Sequence, residues 1–386
     1  PVLNRSGYQT INAKLLSDAG QPIVGGNDPS SPLYISNIDT NWQDEGYKDG
    51  YIQNYNLNAS GGSENTSYYV SLDYIDNEGT LVGSGPDYER YSFRVNSDTK
   101  LGKFNFGENF YLMRSDENPL FFTTSIGLPG GRPSLVNDLL QAAPTIPVYD
   151  ENRVGGYGGA NSVTHQSITL NVPGINSLIK NQTQVTRILA NFYAGYEIMD
   201  GLNFKTSLQY DSSSIQSELF VPEYDLGYFF PGPVASLQIN NRNSNSFLIE
   251  NTLNWKKQIN NHDLELLLGQ TYQNSNFRNV GVVGSGLTKP YIYNLSNATT
   301  FSVTDAIVPS AISSFLARLN YNFSDTYLLT ANIRRDGSSK FPEQNRWGNF
   351  PSIGLAWDLT KESFFPRSAA FNYFKLRASW GQVGND

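Results

Sequence analysis

Apolar and polar residues alternate along many segments of this chain. Between residues 315 and 323 every odd position is apolar and most even positions are polar. Residues 327–333 and 353–359 also place apolar residues at every odd position. A side-chain period of two is that of a β-strand, in which successive side chains point to opposite faces. We therefore predict strands with one apolar and one polar face.

The alternation predicts about twelve strands, which begin near residue 50. Their lengths of about 10–14 residues exceed the roughly 5–6 residues typical of soluble sheets. Residues 1–48 show no sustained period and predict a loop-rich segment with a short helix near residues 8–17. The predicted strands lie near residues 50–59, 66–76, 88–99, 103–115, 184–197, 202–216, 243–257, 263–276, 311–323, 326–336, 348–359 and 373–382.

The connections between these strands are alternately short and long. Short ones such as residues 60–65, 100–102 and 324–325 are rich in Gly, Asn, Asp and Ser, which suit tight turns. Short turns at one end and long loops at the other are typical of an outer-membrane β-barrel, with the turns in the periplasm. We predict an all-β fold, an antiparallel transmembrane β-barrel. The long loops lie near residues 77–87, 116–183, 218–242, 277–310 and 337–347.

The composition fits a barrel with a water-filled interior. The chain has 24 Tyr, 22 Phe and 5 Trp, yet its mean hydropathy is −0.40. Only alternate residues of such a strand face lipid, so mean hydropathy stays low. No apolar run reaches the ~20 residues of a transmembrane helix. The net charge of −8, without a basic stripe, argues against nucleic acid as a partner.

Catalytic and metal-binding residues are scarce. The chain has no Cys, which excludes disulfides and thiolate metal sites. Its two histidines, His165 and His262, have no Cys or carboxylate at ligand spacing. Neither a phosphate-binding P-loop nor a nucleophile-elbow motif occurs. We therefore predict no enzyme activity, no catalytic residue, no cofactor and no metal.

Aromatic residues of the long loops leave two interpretations open. Exposed rings stack on sugar rings or on peptide side chains, whereas buried rings pack the loops together or belong to an interfacial belt. These residues are Tyr157, Tyr224, Tyr228, Phe229, Phe230, Tyr291 and Trp347.

Three stretches carry recognisable motifs. The first contains TNWQDE at residues 40–45 and SGGSENTSYYVSL at 60–72. The second contains RRDGSSKF at 334–341, followed by NRWG and FPS, and the third is LRASWGQVGND at 376–386. In this order and spacing they resemble the SusC/RagA family of TonB-dependent outer-membrane transporters. The resemblance covers nearly the whole chain.

The resemblance implies a barrel of about 22 strands that encloses an N-terminal plug. Its members import oligosaccharides or, in some cases, peptides. A SusD-like surface lipoprotein covers the barrel, and the TonB complex supplies energy from the inner membrane. The expected location is the bacterial outer membrane, in contact with outer-membrane lipid. A passive porin-like channel and a β-rich surface binding module, such as an adhesin or lectin, are the alternatives.

The chain is expected to be a fragment of such a transporter. It opens without Met or a signal peptide and stops within a predicted strand. We interpret residues 1–48 as a loop-rich lead-in and residues 49–386 as part of the barrel, with the plug and N-terminal domains absent.

The RRDGSSKF and NRWG motifs flank a loop and supply four substrate-binding candidates at the predicted extracellular mouth. They are Arg335, Asp336, Arg346 and Trp347. A structural role is the favoured alternative, in which Arg–Asp pairing holds the loop over the rim for about 0–1 kcal/mol. In that case Asp336→Ala loosens the loop without changing substrate preference.

Overall fold

One antiparallel sheet of twelve strands dominates the fold in the computed structural model, which describes residues 3–120, 135–230, 232, 234–289, 292–366 and 372–384. The strands neighbour one another in chain order, so the described connections join adjacent antiparallel strands. The strands are β1 (Tyr51–Gly62), β2 (Thr66–Glu78), β3 (Asp87–Leu101), β4 (Phe104–Asn118), β5 (Lys180–Met199), β6 (Leu202–Val221), β7 (Ser236–Ile259), β8 (His262–Ser285), β9 (Thr300–Phe323), β10 (Tyr327–Ser338), β11 (Trp347–Asp358) and β12 (Lys375–Gly381).

The twelve predicted strands and their order are confirmed, but the strands in the middle of the chain are longer than predicted. β7, β8 and β9 have 24 residues each. At ~3.3 Å per residue such a strand is about 80 Å long, whereas about 9–11 tilted residues cross a membrane. The predicted loops 218–242 and 277–310 were therefore too long. The ends of these predicted loops are held extended by pairing with neighbouring strands, which a pattern within one strand does not reveal.

The register separates the side chains into two faces with different chemistry. The outer face exposes large apolar residues, including Leu72, Tyr91 and Phe315, each 52% exposed. The inner face carries amides, hydroxyls and charged groups, and its small polar residues are buried among them. These buried residues are Ser71, Ser92, Ser115, Ser207, Thr271 and Ser314. In a barrel, the outer face contacts lipid and the inner face lines the lumen.

Aromatic rings mark the lower edge of the outer face, near the short turns. Phe323, Tyr327 and Trp357 come from three adjacent strands, and their ring centroids are 6.2 and 6.0 Å apart. Tyr and Trp rings of this kind anchor a protein at a membrane–water interface.

The short turns use backbone conformations that the sequence allows. Gly102 and Gly201 have φ of +59° and +76°, and Ser324 and Asp325 have φ of +54° and +52°. Gly has no Cβ to clash in this region, and Asp tolerates it better than most residues. Each of these turns therefore reverses the chain within two or three residues, as the pattern predicts.

At the other end of the sheet, the lead-in and two long loops share a hydrophobic core. We call residues 3–48, 135–179 and 222–230 the loop cap. Its core includes Trp42 and Leu139, which are 2% and 1% exposed. The Trp42 indole N–H donates to the Ala143 carbonyl at 2.9 Å, which joins the lead-in to the longest loop. Leu219 on the inner face of β6 packs against this core, so the cap covers the lumen side of the sheet.

Four short α-helices belong to the loop cap: α1 (Arg5–Asp18), α2 (Trp42–Gly46), α3 (Leu135–Gln141) and α4 (Val172–Leu178). α1 contains the helix predicted near residues 8–17, and Asn4 caps its N-terminus by accepting from the Gly7 N–H at 2.9 Å. Among the described residues, no helix has the length and apolarity needed to cross a membrane.

Candidate substrate-binding wall

Four amide side chains form a row across the inner face of β3 to β6. Asn96, Asn109, Asn191 and Gln209 are successive register partners on neighbouring strands. Side chains at directly opposite positions are about 5 Å apart at Cβ. All four line a cavity of ≈ 880 Å³. Each amide offers donors and an acceptor, so the row suits a neutral ligand with many hydrogen-bonding groups.

Charged and aromatic groups lie directly beside the amide row. The Arg94 guanidinium lies 5.3 Å from the centre of the Tyr111 ring, a cation–π distance. Arg187 donates to Asp211 at 3.1 Å. Arg94, Tyr111 and Asp211 line the same cavity as the amides. The cavity wall therefore combines neutral amides with one carboxylate, one guanidinium and an aromatic ring.

One amide of the row has unused hydrogen-bonding capacity. The Asn191 Oδ1 atom is shielded from solvent and has no hydrogen-bond partner among the described residues. Buried polar atoms are normally paired, and an exception calls for a partner from outside the chain or a rearrangement of the amide. Asn191 is therefore the position in the row at which a hydrogen bond from a ligand would fill an unused acceptor.

Two of the four predicted residues, Asp336 and Arg346, lie at a second inner cavity of ≈ 610 Å³ near the mouth. Asp336 accepts from Arg334 Nε at 2.7 Å, and Arg334 Nη2 donates to the buried Ser314 at 3.1 Å. The expected Arg–Asp pair is therefore formed by Arg334. Arg334 therefore links Asp336 of β10 to Ser314 of β9 within the sheet, and this pair does not span the loop.

The other two, Arg335 and Trp347, lie on the opposite face of the sheet. Arg335 pairs in register with Phe315, and Trp347 pairs with Gly337, all at outer-face positions. The Arg335 guanidinium is 5.1 Å from the centre of the Trp347 ring, and the Phe315 and Trp347 rings stack at 6.3 Å. The motif thus splits between lumen and outer surface because neighbouring strand residues alternate in direction.

Most of the loop aromatics pack the loop cap. Tyr224 and Phe230 are 8% and 3% exposed within its core, and Tyr157 packs against the core from its edge. Tyr228 is 39% exposed and contacts Phe229 at a centroid distance of 4.1 Å. Tyr291 lies outside the described residues.

The two histidines take part in local contacts. In the loop cap, His165 Nδ1 accepts from the Asn161 N–H at 3.0 Å, and His165 Nε2 lies 3.1 Å from the Thr145 carbonyl oxygen. Burial lowers the pKa of His165. The hydrogen bond to Thr145 has the opposite, smaller effect, so the pKa lies below its usual value. His262 Nδ1 lies 2.8 Å from the Tyr321 hydroxyl.

Comparisons with known proteins agree with this architecture. The family described as "TonB dependent receptor-like, beta-barrel" matches residues 138–385. This chain belongs to that family. The family is one of receptors and transporters of the outer membrane, and the matched residues include Asn191 and Gln209 of the wall described above.

Curated relatives of this barrel are themselves named as TonB-dependent receptors. TonB-dependent receptor P3 of Formosa agariphila is 33% identical over 90% of this chain and 34% of its own length. TonB-dependent receptor SusC of Bacteroides thetaiotaomicron is 24% identical over 92% of this chain and 36% of its own length. The chain thus spans about a third of the curated relatives that it matches.

Among solved structures, the fold is that of the RagAB peptide transporter. The TM-score is 0.71 at 19% identity, over 98% of this chain and 44% of the matched chain. A second structure, of the RagAB peptide importer in the closed-closed state, matches with a TM-score of 0.71 at 20% identity, over 100% of this chain and 45% of the matched chain. At this identity the likeness concerns the fold.

The amide row could not be identified from the sequence. Asn109, Asn191 and Gln209 occupy ordinary polar positions of alternating strands, as do many other residues. Their alignment depends on the register across two hairpins and one long connection, β4 to β5. A pattern within one strand predicts which face a residue occupies but not which residues of other strands lie beside it.

Proposed function

We propose that this chain is part of the barrel wall of an active importer of oligosaccharides in the bacterial outer membrane. The amide row is the observation that carries the proposal. A glycan presents neutral hydroxyl groups that donate and accept, and amides match both roles. Asp211, Arg94 and Tyr111 add a carboxylate, a guanidinium and an aromatic ring to the same cavity.

Peptides are the second candidate substrate class. The RagAB structures that share this fold are named as a peptide transporter and importer. Amide side chains also hydrogen-bond to a peptide main chain, so the lining alone serves both classes. We place oligosaccharides first because four neutral amides stand in succession across the wall, a lining that matches the repeated hydroxyl groups of a glycan.

The proposed partners follow from membership of the family and from the SusC and RagAB likenesses. We propose that a SusD-like lipoprotein closes the extracellular mouth and that the TonB complex drives transport through segments outside this chain. The protein would act as a transporter and not as an enzyme. Asp336 and Arg346, at the mouth cavity, are the proposed contacts for substrate as it enters.

Uptake by cells that produce the longer protein containing this chain tests the proposal. Cells are given labelled neutral oligosaccharides or peptides of similar mass, with and without a protonophore. We expect oligosaccharide uptake that the protonophore abolishes, because TonB-driven transport needs the proton gradient. Uptake that persists with the protonophore would indicate a passive porin, and selective uptake of peptides would reverse the order of the two classes.

A substitution within the wall links uptake to the amide row. Asn191→Leu removes one amide, with similar volume, and we expect oligosaccharide uptake to fall about tenfold, as for one or two lost hydrogen bonds. Asn245→Leu is the control, because Asn245 lies on the outer face of β7, opposite Ser212. Equal uptake by both variants would contradict the assignment of the row.

A further inference from the structure

From Ala311 of β9 down to the aromatic rings near the short turn, the outer face of three adjacent strands carries a single charged residue. Between the aromatic rings near the short turn and Ala311 of β9, the outer positions of β9, β10 and β11 are apolar or neutral except for Arg335. These positions are Ala311, Ser313, Phe315, Ala317, Leu319, Tyr321 and Phe323 of β9; Tyr327, Leu329, Ala331, Ile333 and Gly337 of β10; and Trp347, Asn349, Pro351, Ile353, Leu355 and Trp357 of β11.

Arg335 lies at the upper edge of this apolar surface. It is eight residues above Tyr327 along β10, which is about 26 Å at ~3.3 Å per residue. With the ~40° tilt of barrel strands, the rise is about 20 Å, close to the ~25 Å height of the lipid-facing band. Tyr327 marks the lower interface, so Arg335 lies where headgroups of the outer leaflet begin.

The surroundings of Arg335 hold it in place without neutralising it. Its guanidinium lies 5.1 Å from the Trp347 ring, and Trp347 stacks on Phe315 at 6.3 Å. Gly337 makes this possible, because a Cβ there would come within 2.8 Å of the indole. No carboxylate forms an ion pair with Arg335 among the described residues, although the chain as a whole has a net charge of −8.

Neutral hydrogen-bond donors accompany the guanidinium. Asn349 is the register partner of Arg335 on β11, which places the two side chains about 5 Å apart at Cβ. The Trp347 indole N–H is a third donor on the same face. A guanidinium with adjacent neutral donors matches the geometry and charge of a phosphate group.

We propose that Arg335, Asn349 and Trp347 form a binding site for the phosphate of a phosphorylated glycolipid headgroup in the outer leaflet. The site would anchor the barrel in the membrane at the β10–β11 hairpin. It would take no part in substrate binding, which is assigned to the inner face. The inference rests on the outer face being in lipid and is independent of the substrate.

Native mass spectrometry of the longer protein that contains this chain, released from a detergent micelle, tests the proposal. The probes are bis-phosphorylated lipid A and the same lipid after enzymatic removal of its phosphates. We expect the unaltered protein to retain the phosphorylated lipid and Arg335→Gln to retain about fivefold less, as for the loss of one surface cation. Both proteins should retain the dephosphorylated lipid equally.

Arg346→Gln is the matched control, since Arg346 belongs to the same motif but lines the inner cavity. It should retain as much phosphorylated lipid as the unaltered protein. Arg335→Lys keeps the charge and should retain more lipid than Arg335→Gln, which separates a phosphate contact from a folding defect. Equal retention by Arg335→Gln and the unaltered protein, or equal losses in Arg335→Gln and Arg346→Gln, would overturn the proposal.

Discussion

At the scale of single residues, Asn171 organises much of the longest loop. It is 1% exposed, and its amide nitrogen donates to the carbonyls of Val148 and Gly158 at 2.8 and 2.9 Å. Its Oδ1 accepts from the Gly174 N–H at 2.9 Å and caps α4. One buried side chain thus hydrogen-bonds to three backbone groups from three segments. The Val148 carbonyl also accepts from the Gly158 N–H at 2.9 Å.

Asn171→Ala is expected to destabilise the loop cap by about 2–4 kcal/mol, since it removes a helix cap and takes one donor from each of two buried carbonyls. Hydrogen–deuterium exchange of residues 135–179 measures this loss. The control is Asn152→Ala in the same loop, where the side chain is exposed and the expected change is within about 0.5 kcal/mol. Similar exchange in both variants would contradict the role of Asn171.

We expect His165 to make the loop cap sensitive to acid. Burial lowers its pKa, with a further contribution from the nearby Arg153 charge, so the folded state favours the neutral ring. A group whose folded pKa is depressed stabilises the fold above its unfolded pKa of about 6.5 and loses this contribution as the pH falls. Protonation also makes Nδ1 a donor, which breaks its bond with the Asn161 N–H.

We therefore expect protease cleavage within residues 135–179 to be faster at pH 5 than at pH 8, after correction for protease activity. His165→Gln should remove most of this difference, because glutamine does not titrate. The account of His165 fails if the variant keeps the same dependence on pH.

At the scale of secondary structure, the two glycine turns differ in how closely a neighbour approaches. Gly201 has φ of +76°, and a Cβ there would lie 2.2 Å from the Lys256 carbonyl oxygen. The Lys256 N–H also donates to the Gly201 carbonyl at 2.8 Å, so the β5–β6 turn docks onto β7. Gly102 has φ of +59°, but nothing lies within 4 Å of its Cβ position.

Gly201→Ala is expected to be more harmful than Gly102→Ala. Both substitutions cost about 1–2 kcal/mol for a left-handed conformation with a Cβ, and at Gly201 displacement of β7 adds about 1–3 kcal/mol. The shift in urea midpoint of the purified longer protein, followed by heat-modifiable gel mobility, measures the difference. If the two variants unfold at the same midpoint, the close contact with Lys256 is unimportant.

Local sequence was sufficient to predict the strands and turns. Alternation of apolar residues reveals the lipid-facing half of each strand, and Gly, Asn and Asp reveal the turns. In the upper parts of β7 to β9 the alternation covers only a few residues, as at 236–240 and 300–304, so these segments were predicted as loops. Their extension depends on pairing between strands, which is a property of the assembled sheet.

At the scale of the whole chain, the sequence predicted the architecture better than the site. The resemblance at three motifs agrees with the family that matches residues 138–385. The four candidate residues come from one stretch of sequence. Asp336 and Arg346 lie on the inner face of the sheet, whereas Arg335 and Trp347 lie on the outer face. The amide row crosses four strands and became visible only when their register was known.

The central claim is that the outer face lies in lipid and the inner face lines a water-filled lumen. This chain has no Cys, so each introduced cysteine adds one reactive position to it, and labelling is compared with that of the unaltered protein. We would introduce them at residues 328–333 of β10, in the longer protein in outer-membrane vesicles, and measure labelling by a water-soluble thiol reagent. The account predicts labelling at positions 328, 330 and 332 and protection at 329, 331 and 333. Equal labelling at all six positions, or the reverse alternation, would contradict it.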